Sequence, residues 1–549
     1  MNFALYYAGD AYSTAAKIMG RQSAGRSMMK GLARTWPEGV VAGVGPGAQG
    51  GRSMLAQLQA DGFSGGVRWS QLPDMRAAVE AGTVYYPSPG PGELLHLRNR
   101  VQPDAFSVMA VTYTLSSNDA LDRVAEWVLP PHRPWDALIC ISDCAKTLAL
   151  QLQAEMRDWW GAQAGSMRFN TSQLPVIPLG VDVPFFAPQP AQRASAREAL
   201  GIRSEEVAFL FSGRLSFHAK ANPAALYRAL EQAAQRSPVV CVEAGIFPNE
   251  AIAQAFVAAQ KALAPTVRFI HVHGRDEECY RQAWQAADVF ASLADNIQET
   301  FGLTPVEAMA AGLPVIVADW NGYKETIRDG VDGFRIPTVL PPAGVGEDLA
   351  LRHALEEDSY DRYIGRTSMA TVVEPRALAL AVHRLATDSA LRQEMGAAGL
   401  QRAQQVFDWP VVLRQYVALA AELAAIRAQA APHEKAPRAW PQRADPFARF
   451  AHFASATLRG DWPVQALPDA SARLRLLLDL SMANYVLDPR VLSRESLAAV
   501  LAVLQTDVAH TVNSVLQAAG QASPAGMRAR MWLWKFDLVA VAAPGSDSP

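Results

Sequence analysis

Short apolar segments alternate with helical segments twice along this chain, with a proline-rich break between the two series. A repeated strand–helix–strand order favours parallel sheets with helices on both faces. In the first series the predicted strands are Asn2–Ala8, Gly39–Val44, Thr83–Tyr86, Ala105–Tyr113, Asp136–Ser142 and Leu174–Leu179. In the second series they are Val207–Ser212, Val239–Ala244, Val267–Val272, Val289–Leu293 and Pro314–Ala318. The sequence therefore predicts an α/β protein with two successive doubly wound, Rossmann-like domains.

Proline-rich stretches mark the boundaries between the predicted domains. Four prolines fall within Pro178–Pro190, and Ala430–Pro446 is also rich in proline and polar residues, which is typical of linkers. Helical spacing predicts helices at Ala15–Trp36, Ala145–Trp160, Pro223–Gln235, Glu277–Ala286, Thr304–Ala311 and along Leu391–Gln429. We predict domains at 1–180 and 191–390, closing helices at 391–429, a linker at 430–446 and an all-helical extension at 447–543.

Composition argues against several classes of partner and site. The net charge of -3 gives no electrostatic reason to expect nucleic acid. Four scattered cysteines fit a reducing compartment, and no Cys or His cluster completes a zinc set, so no metal site is expected. The N-terminus lacks a secretion leader and no window holds about 18 consecutive apolar residues. The sequence predicts a cytoplasmic protein.

Most chemical information lies in Asp288–Gly333, where a strand, a loop and a helix follow one another. Backbone N–H groups of Phe301, Gly302, Leu303 and Thr304 precede or open the helix, and they can donate to an anion that the helix dipole also attracts. Gly302 allows the backbone to approach a ligand closely. We expect an anionic ligand at this turn.

Two glutamates, Glu299 and Glu307, frame the same turn with seven residues between them. Carboxylates are good acceptors for sugar hydroxyls, so both are candidate ligand contacts. Two interpretations of Glu307 stay open, because Thr304-x-x-Glu307 also has the spacing of a capping box. Glu299 has the alternative of a solvated loop residue.

The segment NIQETFGLTPVEAMAAGLPVIVADWNGYKE resembles the signature of glycosyltransferase family 4, whose members are retaining enzymes of GT-B fold. The resemblance implies that Glu299 contacts hydroxyls of a donor sugar and that Glu307 contacts the nucleotide ribose. The family pattern covers roughly residues 1–427. It implies a nucleotide diphosphate sugar as donor substrate and no separate cofactor or metal ion.

A second motif, GRLSFHAKANP, follows the strand VAFLFSG. Gly213 and the cations Arg214 and Lys220 suit a diphosphate, since Arg offers a bidentate fork and Lys a compact charge. In enzymes that this chain resembles, the two cations stabilise the departing nucleotide. The alternative is a pair of surface cations, and His218 between them is expected to be a loop-packing residue. Glu243 and Gly245, and Asp319 to Gly322, are weaker candidates at neighbouring strand ends.

Two N-terminal residues complete the predicted site. Gly20, in KIMGRQSAGRS, is a donor-phosphate candidate, whereas Gly25 suits close helix packing. Similar transferases often carry a His at the end of a mid-domain strand, where this chain has Tyr113. Tyrosine donates a hydrogen bond but is a poor proton carrier near neutral pH, so Tyr113 is a candidate sugar or acceptor contact.

The function predicted by the resemblance is metal-independent, retaining sugar transfer to a glycan, lipid-linked or protein acceptor. One alternative is a nucleotide-sugar epimerase or hydrolase. Another is a non-catalytic GT-B subunit that binds a nucleotide sugar or a partner protein. For the C-terminal extension, Trp532 and Trp534 with nearby cations permit either a membrane-surface patch or a packed aromatic core. The predicted roles of these helices are docking on the transferase body, self-association or peripheral membrane contact.

Overall fold

The structure is a computed structural model that describes residues 1–14, 20–165, 167–430, 440–489, 491–506 and 508–542. It divides into two compact units, residues 1–438 and 439–549. The predicted linker 430–446 falls partly on residues 431–439, which lie outside the described residues.

The first unit begins with a six-stranded parallel sheet in the order β3-β2-β1-β4-β5-β6. Its strands are β1 (Ala4–Tyr6), β2 (Val40–Gly45), β3 (Gly66–Gln71), β4 (Thr83–Tyr86), β5 (Ser107–Val111) and β6 (Ala137–Ile139). Its main helices are Gly20–Thr35, Gly50–Ala60, Arg76–Ala81, Gly92–Val101, Asn118–Ala125 and Asp143–Ala164. This strand order is that of a doubly wound nucleotide-binding fold.

A second six-stranded parallel sheet has the same topology, in the order β12-β11-β10-β7-β8-β9. Its strands are β7 (Val207–Arg214), β8 (Val239–Ile246), β9 (Arg268–His273), β10 (Val289–Ser292), β11 (Val315–Ala318) and β12 (Gly333–Ile336). Its helices are Pro190–Ala199, Ala224–Ala234, Glu250–Leu263, Glu277–Ala286, Leu303–Ala310, Tyr323–Thr326, Glu347–Ala354, Tyr360–Met369 and Pro375–Thr387. A short antiparallel pair, β13 (Thr338–Val339) with β14 (Val372–Val373), follows this sheet. The predicted GT-B architecture of two Rossmann-like domains is confirmed.

One predicted strand is wrong, and two observed strands were not predicted. Leu174–Leu179 is not a strand, because Pro175 and Pro178 have no N–H to donate and only isolated bridges join this stretch to the β6 region. The strands β3 and β12 were not predicted, since β3 mixes Arg68 and Ser70 with apolar residues and gives no apolar run.

The predicted run Leu391–Gln429 consists of two helices, Ser389–Arg402 and Trp409–Gln429, with a π-helical turn Ala403–Phe407 before Asp408. Helix Trp409–Gln429 is long and apolar enough to cross a membrane by length and composition. In the fold its apolar residues, spaced three and four apart from Trp409 to Leu423, are buried instead. Arg427 donates to the Gly82 carbonyl and Asn2 donates to that of Val417, so this last helix returns to the N-terminal sheet.

The second unit is rich in helices, as predicted, but it is not all-helical. Its helices of at least seven residues are Ala470–Asp479, Arg494–Leu504, Val512–Ala518 and Pro524–Lys535, and shorter ones are Pro446–Arg449 and Ser481–Asn484. Three short strands, β15 (Pro463–Ala466), β16 (His510–Thr511) and β17 (Val539–Val541), form an antiparallel sheet. Trp532 is 5% exposed and donates its indole N–H to the Ala483 carbonyl at 3.1 Å. The membrane-surface interpretation of Trp532 is therefore wrong, and the aromatic core interpretation is right.

Candidate functional site

The candidate site lies beyond the carboxyl ends of β7 and β10, the two central strands of the second sheet. Ligands of doubly wound sheets bind at this edge, where the strand order reverses. β7 ends at Arg214, and a turn in which the Lys220 N–H donates to the Ser216 carbonyl brings Lys220 back towards the strand end. After β10, residues 293–302 form the loop that carries Glu299; we call this stretch the Glu299 loop.

Lys220 and Glu299 form a direct ion pair across this edge. Their side chains are 18% and 13% exposed, so the pair is largely shielded yet open on one side. Burial alone would lower the pKa of Lys220, but the Glu299 carboxylate outweighs it and raises that pKa. Burial likewise acts to raise the pKa of Glu299, and the Lys220 charge with the Phe301 and Gly302 N–H groups lowers it overall. Both groups are charged at neutral pH.

Two residues that the sequence analysis missed organise this pair. Gln298 accepts a hydrogen bond from Arg214 at 3.1 Å through its side-chain oxygen. Asn296 accepts from the Gln298 N–H at 2.8 Å and donates to the His218 carbonyl at 2.6 Å. The two predicted motifs are thus joined through amide side chains, which gave no signal in the sequence because Asn and Gln are common in loops.

Gly302 has φ 94° and directly precedes helix Leu303–Ala310. A Cβ at Gly302 would lie 2.1 Å from the Tyr323 ring, so the glycine accommodates Tyr323 against the loop. The Phe301 N–H, expected to face an anion, donates to Glu299 at 3.4 Å in this structure. The helix therefore starts one residue earlier than predicted, with glycine as its N-cap.

The capping-box interpretation of Glu307 is wrong. Thr304 lies inside the helix rather than at its cap, and its buried hydroxyl oxygen has no hydrogen-bond partner among the described residues. Glu307 is half-buried, and burial raises its pKa to about 7, against which the charge of Lys220 acts. Burial raises the pKa of Tyr280, and the nearby charge of Glu307 raises it further. Among the described residues no hydrogen bond engages the Glu307 carboxyl group, so it can accept hydrogen bonds from a ligand.

The N-terminal candidates differ in their surroundings. Tyr113 lies just after β5; its carbonyl accepts a hydrogen bond from Thr300 at 2.9 Å, and its hydroxyl is 3.3 Å from that of Tyr85. Burial raises the pKa of Tyr113. Gly20 is exposed at the start of its helix, and a Cβ there would meet no atom within 4 Å. At Gly25 a Cβ would lie 2.1 Å from the Ala11 carbonyl oxygen, as close packing requires.

The weaker candidates make structural contacts around the site. Glu243 is 3% exposed and accepts hydrogen bonds from Tyr227 and Gln260, so it faces the helices behind the sheet rather than the cleft. Trp320 donates its indole N–H to the Asn296 carbonyl at 3.0 Å, and a Cβ at Gly322 would lie 2.6 Å from the Thr300 carbonyl oxygen. The turn after β11 therefore buttresses the Glu299 loop.

Within the described ranges, no group of three or more His, Cys, Asp or Glu side chains is placed to hold a metal ion. Metal independence itself stays a prediction from the resemblance. The groups that the site does offer to an anion are Arg214, Lys220 and the start of helix Leu303–Ala310.

Comparison with known proteins identifies relatives of the stretch that carries this site. Residues 192–344 match the family model described as glycosyl transferases group 1. This stretch, about a quarter of the chain, is therefore similar to the group 1 glycosyltransferases. The match contains Arg214, Lys220, Glu299 and Glu307, so the predicted family is confirmed on the stretch that carries the predicted motifs.

Two curated relatives are D-inositol 3-phosphate glycosyltransferases. That of Actinosynnema mirum is 34% identical over 173 residues, which are 29% of this chain and 39% of the relative. That of Kineococcus radiotolerans is 29% identical over 283 residues, 49% of this chain and 55% of the relative. The chain thus spans about half the length of these relatives or less. Anabaena HepE, crystallised with UDP, matches 76% of this chain and 99% of its own with a TM-score of 0.50 and 18% identity, which shows a shared fold.

Proposed function

We propose that this protein is a group 1 glycosyltransferase that moves a sugar, with retention of anomeric configuration and without a metal ion, from a nucleotide diphosphate sugar to a glycan, lipid-linked or protein acceptor. The observation that carries the proposal is the Lys220–Glu299 pair at the carboxyl edge of β7 and β10, with Arg214 and Glu307 beside it. A diphosphate needs the cations, and a sugar needs the carboxylates.

In the proposed reaction, the donor diphosphate binds Lys220 and displaces the Glu299 carboxylate from it. The released carboxylate then accepts hydrogen bonds from sugar hydroxyls, while Arg214 and Lys220 together stabilise the charge that develops on the leaving phosphate. The start of helix Leu303–Ala310 adds its dipole to the same charge. The nucleotide ribose is assigned to Glu307, whose shielded carboxyl group has no hydrogen-bond partner among the described residues.

Retention is what the resemblance to retaining glycosyltransferases implies, and the released Glu299 carboxylate is assigned to sugar hydroxyls rather than to the reacting carbon. The hydroxyl of Tyr113 is paired with that of Tyr85. We therefore propose attack on the same face as the leaving group, with the leaving phosphate accepting the acceptor's proton. Cytoplasmic location remains a prediction of the sequence.

The test is a donor panel with the full chain. Wild type and Glu299→Ala are incubated with UDP-, GDP-, ADP- and dTDP-sugars, and nucleotide binding and release are followed; UDP-sugars come first because HepE was crystallised with UDP. Turnover of one donor that is lost in Glu299→Ala supports the transferase. Donor binding without turnover, with acceptor extracts present, would favour the non-catalytic alternative, for which Tyr113 is the motivating residue. Release of a free or epimerised sugar would favour the hydrolase or epimerase.

For the second unit we propose peripheral contact with an anionic membrane surface. Phe447, Phe450 and Phe453 are 75%, 51% and 77% exposed along one short helical stretch. Exposed Arg443 and Arg449 lie in the same stretch. Aromatic side chains that enter the lipid interface next to cations are typical of surface-bound segments, and the cations favour anionic lipid.

Vesicle flotation tests this contact. The full chain is expected to float with phosphatidylglycerol vesicles and less with phosphatidylcholine vesicles, and F447S/F450S/F453S is expected to abolish flotation. Equal flotation of the triple variant would contradict the proposal. A change in oligomer size in that variant, without any change in flotation, would assign the surface to self-association instead.

A further inference from the structure

The two domains of the first unit meet at the Glu299 loop. Thr114, just after β5, donates its hydroxyl to the Gln298 carbonyl at 3.0 Å. Ser142, just after β6, donates its hydroxyl to the Thr300 carbonyl at 2.9 Å. The residues on both sides of Glu299 are therefore held by side chains of the opposite domain.

The hold is reciprocal. The Thr300 hydroxyl donates to the Tyr113 carbonyl at 2.9 Å. Glu325 of the second domain accepts hydrogen bonds from the Asp143 and Cys144 N–H groups at 2.6 and 3.0 Å, and so caps the N-terminal helix Asp143–Ala164. Neighbouring strands β5 and β6 thus present their carboxyl ends directly to the loop that carries the catalytic candidate.

Within the second domain, side-chain hydrogen bonds hold Asn296 and Gln298, whereas the carbonyls of Gln298 and Thr300, which flank Glu299, accept from the N-terminal domain. The Glu299 N–H donates to the Asn296 carbonyl at 3.1 Å. If the cleft opens, both flanking carbonyls lose these donors, and the carboxylate is then oriented by second-domain contacts alone, from Lys220 and the Phe301 N–H.

We infer that Thr114 and Ser142 are positioning residues that couple domain closure to the orientation of Glu299. The inference rests on the proposed transferase function. Closure then does more than exclude water, because it fixes the carboxylate that receives the donor sugar. Nucleotide binding should depend on this coupling much less than turnover does, since Arg214, Lys220 and Glu307 all belong to the second domain and Gly20 is the donor-phosphate candidate of the N-terminal domain.

The experiment compares Thr114→Val, which keeps the shape but removes the donor, with Thr114→Ser, which keeps the hydroxyl. With UDP-glucose as donor, turnover is expected to fall about three- to tenfold in Thr114→Val and to recover in Thr114→Ser, while the dissociation constant of UDP stays within about twofold. Hydrogen exchange of the free protein is expected to be faster over residues 296–302 in Thr114→Val and unchanged in β10.

Two matched controls separate positioning from general effects. Ser116→Ala removes another hydroxyl contact between the domains, to Tyr360 at 2.7 Å, without touching the Glu299 loop, so its effect on turnover should be smaller. Ser142→Ala also removes a helix cap, since the Ser142 hydroxyl accepts from the Ala145 N–H. Ser117→Ala removes the corresponding cap of helix Asn118–Ala125 and serves as its control.

The outcomes distinguish this inference from the function on which it rests. A wild-type protein that neither binds UDP nor turns over UDP-glucose would count against the proposed function with that donor. In that case, faster hydrogen exchange over residues 296–302 in Thr114→Val would still support the positioning role, and unchanged exchange would overturn it. Active wild type with equal losses in Thr114→Val and Ser116→Ala would overturn the inference. Unchanged exchange and turnover in Thr114→Val would do the same.

Discussion

Each domain of the first unit holds a shielded ion pair, and the two pairs have different surroundings. Arg98–Asp136 in the N-terminal domain is 0% exposed on both sides. Arg98 also donates to the carbonyls of Phe106 and Pro131, and Asp136 accepts from the N–H groups of Val108 and Arg133. Lys220–Glu299 in the second domain is partly exposed at the carboxyl edge of its sheet.

The contrast separates an ion pair that stabilises the fold from an ion pair that we propose to act on a ligand. Asp136 directly precedes β6, so the first pair lies at the amino end of its sheet, away from the edge where ligands of this fold bind. Backbone groups satisfy both Asp136 oxygens and both terminal nitrogens of Arg98, and the Arg98 Nε is buried without a partner among the described residues. Lys220 and Glu299 lie at the binding edge, and a ligand can replace either partner.

The largest expected effect on stability comes from the N-terminal pair. Arg98→Met leaves the Asp136 carboxylate buried without its cation, and we expect a loss of about 3–5 kcal/mol, measured by urea unfolding. Arg68→Met is the control, since its pair with Glu80 is 54% exposed on both sides and is worth at most about 1 kcal/mol. Equal losses in the two variants would remove the distinction between the pairs.

The second-domain pair should show the opposite pattern. Glu299→Gln keeps the side-chain shape and is expected to lower turnover by about 10²–10³-fold with a small change in unfolding midpoint, because the charge acts on the reaction and not on packing. Initial rates of nucleotide release measure the loss. Glu250→Gln, on an exposed first turn of helix Glu250–Leu263, should leave the rate unchanged. A Glu299→Gln protein that is as active as wild type would contradict the catalytic role proposed for Glu299.

Much of the second domain could be predicted from the sequence, because its main motif lies within one short segment of the chain. The spacing of Glu299, Gly302 and Glu307 lies within one loop and one helix turn, and the structure keeps them together. The contact between Lys220 and Glu299 could not be derived from spacing, since 79 residues separate them and only the pairing of β7 with β10 brings them together.

The N-terminal contribution was hidden for a different reason. Thr114 and Ser142 are ordinary small polar residues, and their role depends on which carbonyls the other domain places before them. The capping-box interpretation of Thr304 and Glu307 failed for a similar reason. The two residues have the spacing of a capping box, but Gly302 at positive φ is the N-cap, so the helix starts before Thr304. A local sequence pattern does not show where this helix starts, because the start depends on Gly302, which packs against the ring of Tyr323.

A smaller effect is expected from pH. Burial raises the pKa of Glu307 from 4.5 to about 7, so the carboxyl group is protonated below that pH and ionised above it. The charged form is the better acceptor for ribose hydroxyls, so nucleotide affinity should rise as the pH increases from about 6 to 8. The folded state, in contrast, should lose stability as the pH rises from 4.5 towards 7, because the folded carboxyl group holds its proton longer than the unfolded one.

Isothermal titration of the nucleotide across this pH range measures the effect. Glu307→Gln should flatten the pH dependence of affinity. Glu243→Gln is the matched control, because burial raises the pKa of Glu243 to about 7 as well, yet its carboxylate faces Tyr227 and Gln260. A flat profile in wild type, or the same change in both variants, would contradict the ribose assignment.

The smallest expected effect is at Tyr113. Tyr113→Phe removes a hydroxyl that pairs, among the described residues, with that of Tyr85, and the Tyr113 carbonyl that accepts from Thr300 remains. We expect a fall in turnover of less than about tenfold and a larger change in acceptor KM than in donor KM. Initial rates over a range of acceptor concentrations measure this split. A loss as large as that in Glu299→Gln would assign Tyr113 to the reacting centre.

The central claim is that Lys220 and Glu299 hold each other until a nucleotide diphosphate takes the lysine. UDP affinity in wild type, Lys220→Gln and Glu299→Gln, measured by titration calorimetry together with the unfolding midpoint, tests it most directly. The account predicts opposite signs: Lys220→Gln weakens UDP binding about tenfold or more, and Glu299→Gln strengthens it because the competing carboxylate is gone. Equal weakening in both variants, with equal falls in the unfolding midpoint, would show that the pair is structural like Arg98–Asp136 and would contradict the account.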